Sequence, residues 1–484
     1  GHLVSDMAFA PEWVTATDMD GDDDIDILSA SVGDDKIALY VNDGSQNFTE
    51  LNLTPYAEVP HEVYGMDMDN DDDMDVLSVS WNDDKITWYE NDGNQNFLSH
   101  NITTSLSRPS AIYPVDLDDD LDVDIISTSY YEKLVVWYKN DGFNNFTLDT
   151  IDSNADGAED VFAINMDGDD DMDVVGISAL DDKVTWYEND GDESFTTHVI
   201  SDTAEWPRSV FAIDLDDDTD VDVLYTSSDG RISWFENDGE ETITEHAIST
   251  ANTPNEVYAI DMDGDNDIDV LSCAGGSDYV AWYENDGSQS FTKHNVDRVA
   301  DQPVSVKAAD LDGDNDIDVI AASFMGDKIL WYENDGTEDF TEHVLAYGEK
   351  TAMFVSIADM DGDSDPDVLS ASSGRAKISW HENLGPTDIY DKTLIPENSV
   401  LENNYPNPFN PVTIIPYTVK NAGYVNRTVY DLLGRKVKVI IDEFQRAGQY
   451  KVNFKGHNMS SGIYFCKLKI GNTIIATQKM VLLR

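Results

Sequence analysis

The stretch Asp18-Met19-Asp20-Gly21-Asp22-Asp23-Asp24-Ile25-Asp26 decides how the rest of the chain is read. It carries an acid at every second position. It recurs seven more times, starting at Asp67, Asp116, Asn165, Asp214, Asp261, Asp310 and Asp359. The starts lie 49 residues apart except for one step of 47, between Asp214 and Asp261. Self-similarity at such a period marks a repeat architecture, whatever the chain length alone would suggest about domain number.

Alternate residues of a tight turn aim at one centre. Calcium takes six to eight hard oxygen ligands at about 2.3–2.6 Å. A loop with side-chain oxygens at positions 1, 3, 5 and 9 and a carbonyl at position 7 wraps such an ion. In the first loop these are Asp18, Asp20, Asp22 and Asp26, with the carbonyl of Asp24. The second loop offers Asp67, Asp69, Asp71 and Asp75 with Asp73, and the third Asp116, Asp118, Asp120 and Asp124 with Asp122. The fourth has Asn165, Asp167, Asp169 and Asp173 with Asp171, and the fifth Asp214, Asp216, Asp218 and Asp222 with Asp220. The sixth has Asp261, Asp263, Asp265 and Asp269 with Asp267, and the seventh Asp310, Asp312, Asp314 and Asp318 with Asp316. The eighth has Asp359, Asp361, Asp363 and Asp367 with Asp365.

The expectation is about one structural Ca²⁺ per loop. Magnesium demands stricter octahedral geometry and keeps its water, and zinc wants clustered Cys or His. Positions 4 and 6 hold mainly Gly, Asn, Asp or Ser, which suit tight turns. Leu121 and Thr219 at position 6, and Asn165 at position 1, mark the third, fourth and fifth loops as the weakest.

Net charge supports a cation. The chain has 98 acids against 28 bases, and the eight nonapeptides hold 44 of those acids. Such a field argues against nucleic acid and anionic membrane surfaces as partners. The charge changes sign along the chain. From Glu397 onward there are 12 Lys and Arg against 5 Asp and Glu, whereas residues 1–396 hold 16 bases and 93 acids. That change marks a domain boundary. Cys273 and Cys466 fall one in each part, so an intrachain disulfide is not expected. No apolar run approaches the ~20 residues of a membrane span. No signal peptide is visible at Gly1-His2, and an upstream segment is expected to have been removed.

Around each acidic loop, short alternating runs are separated by Asp, Asn and Gly clusters, the pattern of strands joined by tight turns. The unit from His61 to Ile102 shows four strands. Strand A ends in the acidic loop, strand B leaves it, strand C is KITWYEN, and strand D follows an NDG turn. Four strands per ~40–50 residues fit a propeller blade. The expected fold class is all-β, an eight-bladed β-propeller at 1–384 with seven blades as the alternative, followed by a small Ig-like β-sandwich. The eighth unit lacks strand D after Trp380. GHLVSDMAFAP at residues 1–11 aligns with THVISDTAEWP at 197–207, so His2 to Ser5 is expected to supply it and close the ring. Trp88, Trp137, Trp186, Trp234, Trp282, Trp331 and Trp380 recur at one strand-C position and read as core. His2, His100, His198, His246, His294 and His343 recur at one strand-D position and read as structural. Residues 385–400 read as a linker, and 401–484 as the second domain.

Two resemblances rest on these motifs. The D-x-D-x-D-x-D-x-D units resemble the VCBS/FG-GAP repeats of calcium-loaded β-propellers, related to the integrin α-subunit propeller. The Phe-Gly…Gly-Ala-Pro signature that names the integrin repeats is absent, so integrin function does not carry over. The segment from Leu401, with LENNYPNPFNP, VYDLLGRKV, AGQYKVNF, SSGIYF and KMVLL, is similar to the type A sorting domain of the bacterial type IX secretion system. That resemblance implies export by the type IX machinery and a secreted or outer-membrane surface location, often with loss of this domain.

Specificity is expected on the B–C and D–A loops, which vary between units and lie at the end away from the acidic loops. The B–C loops carry Trp81, Tyr130, Tyr131 and Phe324. The D–A loops carry Trp13, Tyr56, Arg108, Trp206, Arg208 and Arg298. Aromatics with scattered Arg suit a carbohydrate or protein ligand, so a binding or adhesion module is the leading reading. An extracellular polysaccharide lyase or hydrolase is the alternative, and a surface-layer or filament component a third. An enzyme needs an unrepeated acid/base pair in one pocket. Nearly every acid here is repeated, and of the candidates His61 and Tyr64, the Tyr64 position recurs as Phe211 and Tyr258.

Overall fold

Turn clusters rich in Asp, Asn and Gly cut the chain into strands of mostly six or seven residues. In the second unit these are strand A Pro60–Met66, B Asp75–Ser80, C Lys85–Asn91 and D Phe97–Thr103, paired antiparallel in that order. The computed structural model describes residues 1–484 except 46, 55–56, 170, 192–193, 240–242, 338, 384–398, 402–403, 421–422, 433, 446–447, 457–458, 471–472 and 484. Tyr56 and most of the expected linker lie outside the described residues. The chain divides into two units, Gly1–Pro386 and Thr387–Arg484.

The first unit contains eight four-stranded antiparallel sheets of the A-B-C-D pattern. In chain order, the first seven span 11–54, 60–103, 109–152, 158–201, 207–250, 254–297 and 303–347. The eighth joins Ala352–Ala358, Asp367–Ser372 and Lys377–His381 to the N-terminal strand His2–Ser5. His2 pairs with Trp380, as the alignment of the chain's first residues with 197–207 predicts. Among the described residues there is no α-helix, only a 3-10 turn at Ser373–Arg375.

Every strand B is buried along its whole length, for example DVLSVS at Asp75–Ser80. It is a central strand packed on both faces, which is why, apart from its leading Asp, it holds mainly apolar and small residues. Apolar clusters join successive sheets. Met19, Leu28 and Leu39 of the first sheet meet Val63, Val76 and Tyr89 of the second. Val14, Ile27 and Tyr40 of the first also meet Met360, Leu369 and Trp380 of the eighth. No sheet in this series is left with an unpacked face.

The recurrent Trp and His form one device. His100 stacks on Trp88 at 4.8 Å, and its Nε2 lies 2.7 Å from Glu90 Oε2. The same trio recurs at Trp186, His198 and Glu188 and at Trp282, His294 and Glu284. Where the histidine is replaced, the acid changes with it. In the third sheet Lys139 Nζ lies 4.0 Å from the Trp137 ring and 4.0 Å from Asp149, which replaces the histidine. In the first sheet the trio becomes apolar, and Leu39 pairs with Leu51. The histidines are held in structural contacts.

The B–C loops of the first seven sheets are tied to the next D–A loop. Asp84 Oδ1 accepts the Arg108 N–H at 2.8 Å, and Asp182 Oδ1 accepts that of Trp206 at 3.0 Å. Arg108 and Trp206 have φ of 53° and 48°, left-handed values that turn their N–H groups toward these carboxylates. The two loop sets therefore share one end of the strands. The acidic loops and C–D turns occupy the other end.

In the second unit, one sheet joins Val400–Leu401, Val412–Val419 and Gly448–Lys455. The other joins Lys436–Gln445, Gly423–Asp431, Gly462–Ile470 and Thr473–Leu482 in that order. They share a core that includes Phe409, Ile415, Tyr417, Phe454, Val429, Cys466 and Leu468.

Candidate metal centres and the opposite loop face

The acidic loop folds because two of its residues turn left-handed. Position 4 has φ of 73° at Gly21, 59° at Asn70 and 58° at Asp119. Position 6 has φ of 71° at Asp23, 73° at Leu121 and 83° at Thr219. This alternation brings positions 1, 3 and 5 to one side. Asp18 then accepts the N–H of Gly21 at 2.8 Å and of Asp23 at 3.1 Å, and Asp22 accepts that of Asp24 at 3.0 Å. Left-handed backbone costs an L-residue roughly 1–2 kcal/mol, less for Asn. Leu121 is 80% exposed and its side chain gains little in return. Leu121→Asn and Thr219→Asn are each expected to raise stability by about 1 kcal/mol in chemical denaturation. A loss of stability in both would contradict this account of the turn.

The structure gathers positions 1, 3 and 5. Ligand atoms of Asp18, Asp20 and Asp22 lie within 4.8 Å of one another, as do those of Asp67, Asp69 and Asp71 and of Asp116, Asp118 and Asp120. Asp214, Asp216 and Asp218, and Asp261, Asp263 and Asp265, form further triads, with two more such groups beyond these five. Asp69 Oδ1, Asp116 Oδ1 and Asp216 Oδ1 are buried without a hydrogen-bond partner. Burial, and then the neighbouring position-5 carboxylate, hold Asp69 above the usual carboxylate range and push Asp312 up to about 6. Converging oxygens, three of them buried without a hydrogen-bond partner, fit a hard divalent ion.

Positions 7 and 9 lie outside these groups. The position-7 side chain turns onto the C–D turn of its own sheet. A Cβ at Gly93 would collide with Asp73 Oδ2, and one at Gly142 with Asp122 Oδ2. This explains the invariable glycine of the internal NDG motif. It also engages the position-7 side chain at the C–D turn.

Position 9 is a buried anchor. Asp26, Asp75, Asp124, Asp173, Asp222, Asp269, Asp318 and Asp367 are all fully buried. Asp75 Oδ2 accepts the N–H of Met68 at 3.1 Å and Trp88 Nε1 at 2.9 Å, and its Oδ1 accepts the N–H of Asn91 at 2.7 Å. It thereby binds strand C to the start of the acidic loop. Burial pushes Asp75 up to about 7 against the pull of these donors.

The opposite end is not repetitive. Arg108 lies over the Trp81 ring at 4.2 Å, Tyr131 at 5.0 Å and Tyr130 at 5.5 Å, and its Nη1 donates to Tyr131 Oη at 2.6 Å. His61 stacks on Trp81 at 4.2 Å. Among the described residues Arg108 has no carboxylate in ion-pair contact, in a unit crowded with acids. Of the residues expected on this face, Trp81, Tyr130 and Tyr131 are thus brought together. Trp206, 43% exposed, and Phe324 make no ring contact with them among the described residues. Arg208 donates from Nε to Ser228 Oγ at 2.9 Å. Arg208 and Trp13, expected in D–A loops, lie at the start of strand A instead, because the strand begins at the preceding Pro207 or Pro11.

The sequence reading passed over an acidic group beside this cluster. Glu62, Glu159 and Asp160 lie on strands A of the second and fourth sheets. Burial pushes Glu159 up to about 7, partly countered by Arg208 and Arg108, and pushes Asp160 up to about 6. Burial, then Arg108, push His61 down to about 4. Comparing the eight strands A by position would have found these acids. At the Glu62 position the other sheets have Trp13, Ala111, Asp160, Ser209, Glu256, Ser305 and Phe354.

Comparison with known families settles the repeat. The model of the FG-GAP-like repeat matches residues 18–78, 67–127, 165–225, 214–272, 261–321 and 310–370. The chain belongs to the FG-GAP-like repeat family. Each match begins on an acidic loop and ends in or just beyond strand B of the next unit. Residues 403–483 match a secretion system C-terminal sorting domain. This FG-GAP-like protein is therefore a cargo of the type IX system, located at the cell surface or secreted. No helix among the described residues is long and apolar enough to cross a membrane.

No curated protein matches the chain. Among solved structures, the Dos1 propeller is 9% identical, covering 79% of this chain and 95% of its own at a TM-score of 0.52, a likeness of propeller fold. Virginiamycin B lyase from Staphylococcus aureus is 17% identical over 68% of this chain and 93% of its own, at a TM-score of 0.44. PorZ of Porphyromonas gingivalis, a surface component of its type IX secretion system, is 11% identical over 95% and 74%, at 0.35. These last two likenesses have no bearing on activity.

Proposed function

We propose that residues 1–384 form a closed eight-bladed, calcium-loaded β-propeller that serves as a surface-displayed or secreted binding module for a carbohydrate or protein ligand. Residues 385–400 act as linker and 401–484 as an Ig-like sandwich that directs export. Positions 1, 3 and 5 of each acidic loop hold the ion, with the position-7 carbonyl. The position-9 carboxylate still has lone pairs for it beyond its N–H donors. Calcium supplies counter-charge for the converging carboxylates.

The observation that carries the binding role is the unrepeated Arg108 cluster at the end away from the metal loops. A guanidinium framed by Trp81, Tyr130 and Tyr131 combines rigid rings with directional donors, the composition of binding hot spots. The test is a panel of neutral glycans, acidic glycans and matrix proteins offered to the calcium-loaded full chain. Arg108→Gln and Tyr131→Ala are each expected to weaken binding at least tenfold. Unchanged binding in both would move the ligand site elsewhere, and no binding by the parent chain would remove the role.

A second reading, an extracellular polysaccharide-degrading enzyme, is favoured by the group Glu62, Glu159 and Asp160. Carboxyls titrating near neutrality beside a ligand surface are suited to acid–base work. Following chain cleavage in the same panel separates the readings. Turnover abolished by Asp160→Asn, with binding retained, would establish the enzyme.

A further inference from the structure

The metal-side ends of neighbouring sheets touch. At two seams, a side chain from one sheet enters the acidic loop of the sheet before it. Gln95, in the C–D turn of the second sheet, donates from Nε2 to Asp20 Oδ2 of the first loop at 2.5 Å. Gln289, at the equivalent place in the sixth sheet, donates to Asp216 Oδ2 of the fifth loop at 2.6 Å. Both carboxylates are position 3 of their triads.

The C–D turn presents this position, since the equivalent Asn144 of the third sheet has the same left-handed backbone, with φ of 65°. Gln95 and Gln289 have φ of 60° and 61°, left-handed values that glutamine adopts only at a cost. A cleft lies at the first of these seams, lined by Asp20, Gly21, Asp72, Asp73, Gly93 and Gln95. Asp216 supplies a second sign of an incomplete site. While Oδ2 takes the Gln289 amide, its Oδ1 is buried with no hydrogen-bond partner.

We infer that Gln95 and Gln289 are metal ligands supplied across the sheet boundary, completing the first and fifth loop sites; this rests on the calcium reading above. Without an ion, the amide N–H₂ is the favourable group to face a carboxylate. Half a turn about the last side-chain bond puts the amide oxygen in the same place, because the two atoms are nearly isosteric. Neighbouring oxygens on one calcium, each about 2.3–2.6 Å from it, lie about 3 Å apart and opposite ones up to about 5 Å, so a group this close to a ligating carboxylate is within reach of the same ion. An amide oxygen also adds a ligand without adding charge, which suits loops that already carry six acids each. Metal binding at these two loops then depends on contact between the first and second sheets and between the fifth and sixth.

The test compares the full chain with Gln95→Leu, Gln289→Leu and the double variant, titrated calorimetrically with calcium alone. Each single variant is expected to weaken one site about tenfold and the double variant two, the order seen when a group supporting a metal is lost. The unfolding temperature in chelator should stay at the parent value. Gln95→Glu should restore or tighten the first site. Calcium should also raise hydrogen-exchange protection along the seam between Pro11–Thr17 and Pro60–Met66 in the parent more than in Gln95→Leu. Parent-like affinity in both single variants would overturn the inference while leaving the calcium reading intact. Absence of calcium uptake by the parent chain would overturn the calcium reading itself, and this inference with it.

Discussion

Chelation of calcium is expected to lower the unfolding temperature of the N-terminal unit, measured in the full chain, by roughly 25 °C. An ion at a hundredfold excess over its dissociation constant stabilises the folded state by about 2.7 kcal/mol per site, so eight sites sum to about 20 kcal/mol. Unfolding entropy near 2.1 cal/mol/K per residue over about 380 residues gives about 0.8 kcal/mol of stability per degree. The pH dependence should change sign with the metal. Burial raises the folded-state pKa of Asp26, Asp75 and Asp124 to about 7, above the unfolded value near 3.9. The metal-free folded state thus holds protons that the unfolded chain has released. Its stability is greatest below about pH 4 and falls as pH rises toward 7. Calcium needs the carboxylates ionised, so the loaded chain should instead lose stability on acidification. Differential scanning calorimetry at pH 5 and pH 8, with calcium and with chelator, reads both effects. Identical transitions under all four conditions would leave the acidic loops as surface charge alone.

Asp75→Ala is expected to destabilise the chain by about 5 kcal/mol, because the three buried donors it now satisfies are left without a partner at about 1–3 kcal/mol each. On the same entropy scale this is a shift of about 6 °C. It should persist at saturating calcium and in chelator alike. Asp71→Ala, at an exposed position of the same loop, should lower stability only when calcium is present. The contrast separates the anchor at position 9 from the positions proposed to hold the ion. An Asp75→Ala transition within a degree or two of the parent under both conditions would remove the anchor, and one that matches the parent only once metal is removed would show that Asp75 acts through the ion alone.

Much of this molecule is legible along the chain because its determinants are local. Alternation over six or seven residues makes a strand, and turn residues such as Gly21 and Asn70 make the loop whether or not the rest is folded. Eight repetitions turned weak local signals into a strong one. The same repetition identified Trp88 and His100 as structural and predicted that His2–Ser5 pairs beside Trp380. Oxygen chemistry at positions 1, 3 and 5 was equally readable, since ligand type and spacing lie within nine residues.

Only the tertiary structure could decide what those residues touch. Asp75 looks like one more acid of the series, yet it is buried where strand C meets the loop, and its bond to Asn91 spans 16 residues. Asp73 turns to the glycine of an NDG turn, and Gln95 reaches a carboxylate 75 residues away. Arg108 was one of several scattered basic residues until folding placed Trp81, Tyr130 and Tyr131 around it. Sequence by itself determined the repeat, its strands and the chemistry of its turns, because those follow from neighbours along the chain. Which carboxylates converge, which anchor a strand and where an unrepeated surface assembles depend on contacts between distant segments, and only the packing of sheet against sheet supplies them.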